Sequence, residues 1–166
     1  MSGAWYVVSQ LVKTFWRGEY QWHGEPFALF AMDAIYVGLS LALLGAACAR
    51  LLDERRAAPR RALLLCFVVL GAGVSLLAGF SMRFDFGAFP YPSRELPFFI
   101  SGRLIGAALL PFAALFVYGL EWLVSKTRLS GYELLMILDL AAIITVVELA
   151  LSFEAIASPY NWFHLG

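Results

Sequence analysis

Long uninterrupted apolar stretches dominate the pattern along this chain, and polar residues gather in the short segments between them. Four stretches, 27–50, 62–82, 103–124 and 131–156, are long enough to cross a bilayer as helices. An apolar core of about 30 Å takes about 20 helical residues. The stretches do not alternate polar and apolar positions as barrel strands do, and only helices or closed barrels satisfy backbone groups in lipid. Ahead of them, residues 4–17 set Trp5, Val8, Val12, Phe15 and Trp16 on one helical face and Gln10, Lys13, Thr14 and Arg17 on the other. That is the pattern of a helix lying in the membrane interface. The chain is therefore predicted to be an all-α membrane protein with a single domain, residues 1–166. Its fold is a four-transmembrane-helix bundle with an N-terminal interfacial amphipathic helix, and residues 83–102 form a loop on one side.

Small residues recur every four positions within three of the spans: Gly38, Ala42 and Ala46; Gly71, Ser75 and Gly79; Gly102 and Gly106. Such spacing lets helix backbones approach closely, so these stripes are expected to face other helices. Pro111 lies inside the third span, where a missing N–H and a ring clash are expected to kink it.

Composition agrees with the pattern and narrows the function. The chain of 166 residues is 61% apolar and 14% charged. Twelve Lys and Arg balance twelve Asp and Glu. A neutral chain lacks the basic excess that nucleic acid calls for, so the partners expected are the lipid bilayer and another membrane protein. Cys48 and Cys66 make no disulfide framework and are expected to be buried, inert thiols. His23 and His164 stand apart, without the spacing a zinc site needs. There is no Gly-rich phosphate loop, no His-Glu-x-x-His and no nucleophile elbow. No catalytic residue, metal ligand or cofactor is assigned.

Basic residues on short loops set the orientation. Arg50, Arg55, Arg56, Arg60 and Arg61 lie between the first two spans, and Lys126 and Arg128 between the last two. Placing these on the cytoplasmic side of an inner membrane leaves both termini and the 83–102 loop outside the cytoplasm.

The outer segments hold both histidines and many of the aromatics. An aromatic belt is normally found at both interfaces, so this concentration marks the outer face as the one that works or meets a partner. In the outer loop, Arg83, Asp85, Arg94, Glu95 and Arg103 alternate in sign, and Pro90, Pro92 and Pro97 stiffen the path. Two readings fit: a lid whose arginine forks hold an anionic head group, or charges that pair among themselves. Within the spans, Asp33, Asp139, Glu148 and Glu154 are ionisable groups at membrane depth, where such groups mark function or pairing. The candidate pairs are Asp33 with Arg103 or Glu148 with Arg103. Asp139 and Glu148, nine positions apart at about 100° per residue, point to opposite faces of one helix. One of them is expected to face another helix or another subunit.

The segments TFWRGEYQWHG, residues 14–24, and FDFGAFPYPSRELPFFISGRLIGAALLPFAALF, residues 84–116, resemble the C-terminal membrane region of large bacterial multi-pass proteins. These are glycosyltransferases similar to dolichyl-phosphate-mannose–protein mannosyltransferase, of the GT-C architecture. The resemblance runs from about residue 14 to residue 123. It implies a lipid-phosphate sugar handled at the outer membrane face, with Arg94 and Arg103 at most facing the donor or lipid. Members of that family have many more spans, and their catalytic acid lies in an N-terminal half that has no counterpart here. No catalytic residue carries over. The resemblance therefore implies a relative without catalysis of its own, or one subunit of a larger assembly.

The function expected is that of a small accessory or structural subunit packing against a larger membrane complex through its aromatic outer face. The alternative is a glycosyltransferase-related module that binds a polyprenyl-phosphate sugar.

Overall fold

The computed structural model describes residues 3–17, 21–22, 25–26, 30–83 and 102–157. It is an all-α bundle. In chain order, α1 (Gly3–Arg17) leads through a minimal antiparallel pair, β1 (Gln21–Trp22) and β2 (Glu25–Pro26), to α2 (Phe30–Asp53) and α3 (Ala57–Arg83). A 3-10 segment (Gly102–Ala108) then runs into α4 (Leu109–Ser125), followed by α5 (Glu133–Leu151) and the short α6 (Phe153–Ile156). Among the described residues, four helical segments are long and apolar enough to cross a membrane: Ala31–Asp53, Ala57–Phe80, Leu104–Ser125 and Glu133–Leu151.

The helix limits follow from local chemistry. α3 begins at Ala57, ahead of the expected 62, because Pro59 sits in its first turn, where no intrahelical N–H is required. Pro111 occupies the first turn of α4 for the same reason, and the third span breaks before it. The break centres on Ile105, at φ −112° and ψ 38°, so the expected kink is a change from 3-10 to α-helix. After α4, Gly131 takes the left-handed conformation at φ 99° that its missing Cβ permits. Its N–H donates to the Glu133 carboxylate at 3.0 Å, closing the turn into α5. Bonds from Ser152 N to Glu148 O (2.9 Å) and from Ile156 N to Ser152 O (3.0 Å) carry the helical path from α5 into α6.

α4 is the central helix and packs against α2, α3 and α5. Between α2, α3 and α4 lies a core of Ala47, Leu63 and Leu115, all fully buried. A second core gathers Leu11 of α1, Leu77 of α3, and Ile105 and Ala108 of the 3-10 segment. α1 is thus docked on the bundle through Leu11, Val12, Phe15 and Trp16, while Val8 of the expected apolar face is exposed and Lys13 and Thr14 of the expected polar face also meet the bundle.

The close helix approaches occur at glycines other than those in the stripes of α2 and α3. A Cβ on Gly119 would fall on the Leu43 carbonyl of α2. A Cβ on Gly102 would lie 2.8 Å from the Phe15 nitrogen and 2.9 Å from the Leu11 oxygen. By contrast, Gly38, Gly71, Gly79 and Gly106 have nothing within 4 Å of that position. The Gly71, Ser75 and Gly79 stripe faces away from the bundle, whereas the α2 stripe is turned inward only at Ala46 and that of the third span only at Gly102. Cys48 is exposed on α2 instead of buried, and Cys66 is half-buried. Outward Leu and Val on α3, such as Leu65 and Val68, need no protein partner, since lipid tails are as apolar as they are.

Candidate binding site at the α1 end of the bundle

Asp33, Tyr36 and Ser40 follow one another at steps of three and four along α2, which puts them on one face. All three are buried. This face meets α1 and the far end of α5, and each polar group finds a partner there. Lys13 Nζ lies 3.4 Å from Asp33 Oδ2. The Trp16 indole N–H donates to Ser40 Oγ at 2.8 Å. The Tyr36 hydroxyl donates to Glu148 Oε1 at 2.5 Å, joining α2 to α5. Thr14 Oγ1 donates to the Gln10 carbonyl at 2.8 Å and accepts the Gly102 N–H at 2.6 Å, fastening the 3-10 segment to α1.

Aromatic rings fill the space around these bonds. Phe15 stacks on Phe112 at 4.9 Å, and Trp16 stacks on Tyr36 at 5.4 Å. Trp16 also presents an edge-to-face contact to Phe112 at 5.9 Å and to Phe116 at 5.1 Å. Both arrangements suit the ring quadrupole. Phe15 and Trp16 belong to the aromatic segments singled out in the sequence, and they turn inward against Tyr36, Phe112 and Phe116 of the spans.

Behind Trp16 and Phe112, an apolar cavity of about 300 Å³ lies between α4 and α5. Ile137, Ile144 and Thr145 of α5 form one wall, and Phe15 and Trp16 close the end nearest α1. The arrangement can accept an apolar chain, with the Tyr36–Glu148 pair one helical turn beyond Ile144. Among the described residues, no group of His, Cys, Asp and Glu is placed to hold a metal ion.

Tyr36→Phe removes one hydroxyl and leaves the ring stack in place. It takes a buried hydroxyl partner from the half-buried Glu148, so a loss of about 1–2 kcal/mol is expected. Thermal unfolding in detergent checks this, with Phe116→Tyr, which adds a hydroxyl without removing a bond, as the comparison.

The opposite end of the bundle carries a second polar group that sequence reasoning missed. Arg50 Nη1 lies 2.5 Å from Glu121 Oε2 and 3.2 Å from the Tyr118 carbonyl, with its guanidinium 4.8 Å from the Tyr118 ring centroid. Lys126 lies 3.9 Å from Asp53 and over the Trp122 ring. The signal was present: an acid in the last turns of the third span lies at the level of an arginine ending the first.

Of the residues singled out in the sequence, Asp33 and Glu148 come together at the α1 end. Asp139 lies on the other side of α5, exposed, and has no hydrogen bond or ion pair among the described residues. The backbones of Arg83, Arg103 and Glu154 fall in α3, the 3-10 segment and α6. Their side chains, and Asp85, Arg94 and Glu95 entirely, lie outside the described residues, as do the expected contacts to Arg103. Comparison of the chain with protein-family models, with curated proteins and with solved structures finds no match.

Proposed function

We propose that this chain is a non-catalytic subunit that packs inside the membrane against a larger protein assembly, with α5 as the contacting helix. The observation that supports this is Asp139. α5 has membrane-spanning length and no buried residue, and it turns a carboxyl group outward. Lipid satisfies the leucines and valines of that face, but it offers nothing to a carboxylate. Ionisable groups in spans face protein or a water-filled cavity. The arginines at the end of α2 and the start of α3 support an orientation with that end on the cytoplasmic side of an inner membrane and both termini outside. Native mass spectrometry after mild detergent extraction from the source membrane tests the reading. A fixed stoichiometry with a second protein is the expected result, and a chain that leaves the membrane alone overturns it.

The cavity between α4 and α5 favours a second reading, a glycosyltransferase-related module holding a polyprenyl-phosphate sugar. Its apolar walls suit an isoprenoid chain. In the same experiment, a polyprenyl-phosphate species retained by the lone chain selects this reading over the first.

A further inference from the structure

We infer that Asp139 pairs with a lysine or arginine on a transmembrane helix of a different protein, which lies along the outward stripe of α5. This rests on the subunit reading above and names the chemistry of the partner.

The stripe consists of Leu135, Asp139, Ala142, Val146 and Leu149, all exposed. Their spacing alternates steps of four and three, and at about 100° per residue they fall within an arc of about 80°. That alternation is the seam pattern of a left-handed helix pair. The reverse side of α5 is already used: Ile137, Leu140 and Ile144 line the cavity against α4, and Glu148 accepts the Tyr36 hydroxyl. α5 therefore has one face turned to its own bundle and a separate, continuous face turned away from it. Ala142, beside Asp139, leaves room for a neighbouring backbone to come close.

Asp139 decides what lies along that face. It is six residues inside α5, about 9 Å along the axis from Glu133. Its single methylene is too short to lift the carboxylate to the head groups, as the long stems of lysine and arginine do. A cation brought to it from the same membrane surface on such a stem satisfies both reach and charge. A second copy of this chain packed α5 to α5 along the stripe does not supply one. The chain's lysines and arginines lie in α1, at helix ends or between the spans, and none is in the interior of α5. Two copies packed stripe to stripe about a two-fold axis along the membrane normal set Asp139 against Asp139, like charges in an apolar medium.

The test uses the tagged full chain in its source membrane, with a photoreactive residue at Ala142 or Val146. The expected result is a cross-link to one other protein, at a peptide with a lysine or arginine within a helical turn. Asp139→Lys is expected to reduce the co-purified protein at least tenfold and Asp139→Asn to reduce it several-fold. Asp139→Glu retains most of it. Thermal unfolding of the isolated chain is expected to be the same for all three, because Asp139 holds nothing within the bundle. Full retention by Asp139→Asn overturns the inference whatever Asp139→Lys does. So does a cross-link confined to a second copy, or to lipid. An assembly that persists unchanged in Asp139→Lys leaves the subunit reading standing and removes this one, whereas a chain that purifies alone removes both.

Discussion

Gly119→Ala is expected to destabilise the bundle by about 3 kcal/mol, the upper end of what overpacking by one methyl group costs. The position is where α4 crosses α2, the most extensive helix contact in the fold. An added Cβ would fall on the Leu43 carbonyl, and it would also lie 3.2 Å from the Ala47 nitrogen. Both obstacles are backbone, so no side-chain rotation relieves the clash. Leu43 and Ala47 are themselves buried, at 1% and 0% exposure, so moving α2 outward undoes the packing of both. Moving α4 outward instead pulls Leu115 and Phe112 away from their neighbours. Between membrane helices, close packing supplies much of the association energy, so this loss falls on the main term. The control is the same substitution where space is open. Gly38→Ala and Gly71→Ala meet nothing within 4 Å, and exchanging glycine for alanine inside a helix favours the helix by up to about 1 kcal/mol. Denaturation in mixed detergent micelles should show Gly119→Ala clearly less stable and the two controls unchanged or better. Equal stability of all three variants contradicts the α2–α4 crossing.

That contrast also shows what was legible in the chain. Four apolar runs and an amphipathic leader are patterns of period and length, and they survive folding because each is decided locally. Which face of a run turns inward is not local. Gly71, Ser75 and Gly79 have the spacing of a packing stripe yet look outward, while Gly119, without a small residue four positions before it, sits at the tightest crossing. Pro111 was a sound signal of a break, but the irregular residue is Ile105, because proline is tolerated in a first turn and displaces the disruption towards the N-terminus. Asp33 and Glu148 stood out as acids at membrane depth. Their described partners, Lys13 and Tyr36, did not, because Lys13 reads as the solvated face of an interfacial helix and Tyr36 as an ordinary apolar residue. Only the docking of α1 on α2 brings Lys13 to Asp33. Asp139 is the case where the sequence argument went furthest: the half-turn separating it from Glu148 follows from helix geometry alone, and the two carboxyls do point to opposite sides of α5.

Trp16→Ala is expected to cost about 3 kcal/mol and to release α1 from the rest of the bundle. Trp16 stacks on Tyr36, meets the edges or faces of Phe112 and Phe116, and closes one end of the apolar cavity. Its removal opens that cavity, and the surrounding helices are held by their own contacts and cannot collapse into it. It also takes the indole N–H from Ser40 Oγ, which is fully buried. Two gentler substitutions separate these effects. Trp16→Phe keeps most of the ring contact and loses the hydrogen bond, and Ser40→Ala removes the acceptor. Each is expected to cost about 1 kcal/mol. If the bond is the shared cause, the double variant costs little more than either single one, a coupling that a double-mutant cycle reads directly. Hydrogen exchange along residues 8–16 gives the structural readout. In Trp16→Ala the amides of α1 are expected to lose protection while those of α4 keep it, since α1 is fastened by this ring cluster, the Lys13–Asp33 pair and the Thr14–Gly102 bond, and α4 by its crossing with α2. Loss of protection throughout the bundle would instead make α1 an integral part of a single cooperative unit. Unchanged protection in α1 would mean that the aromatic cluster does not hold it.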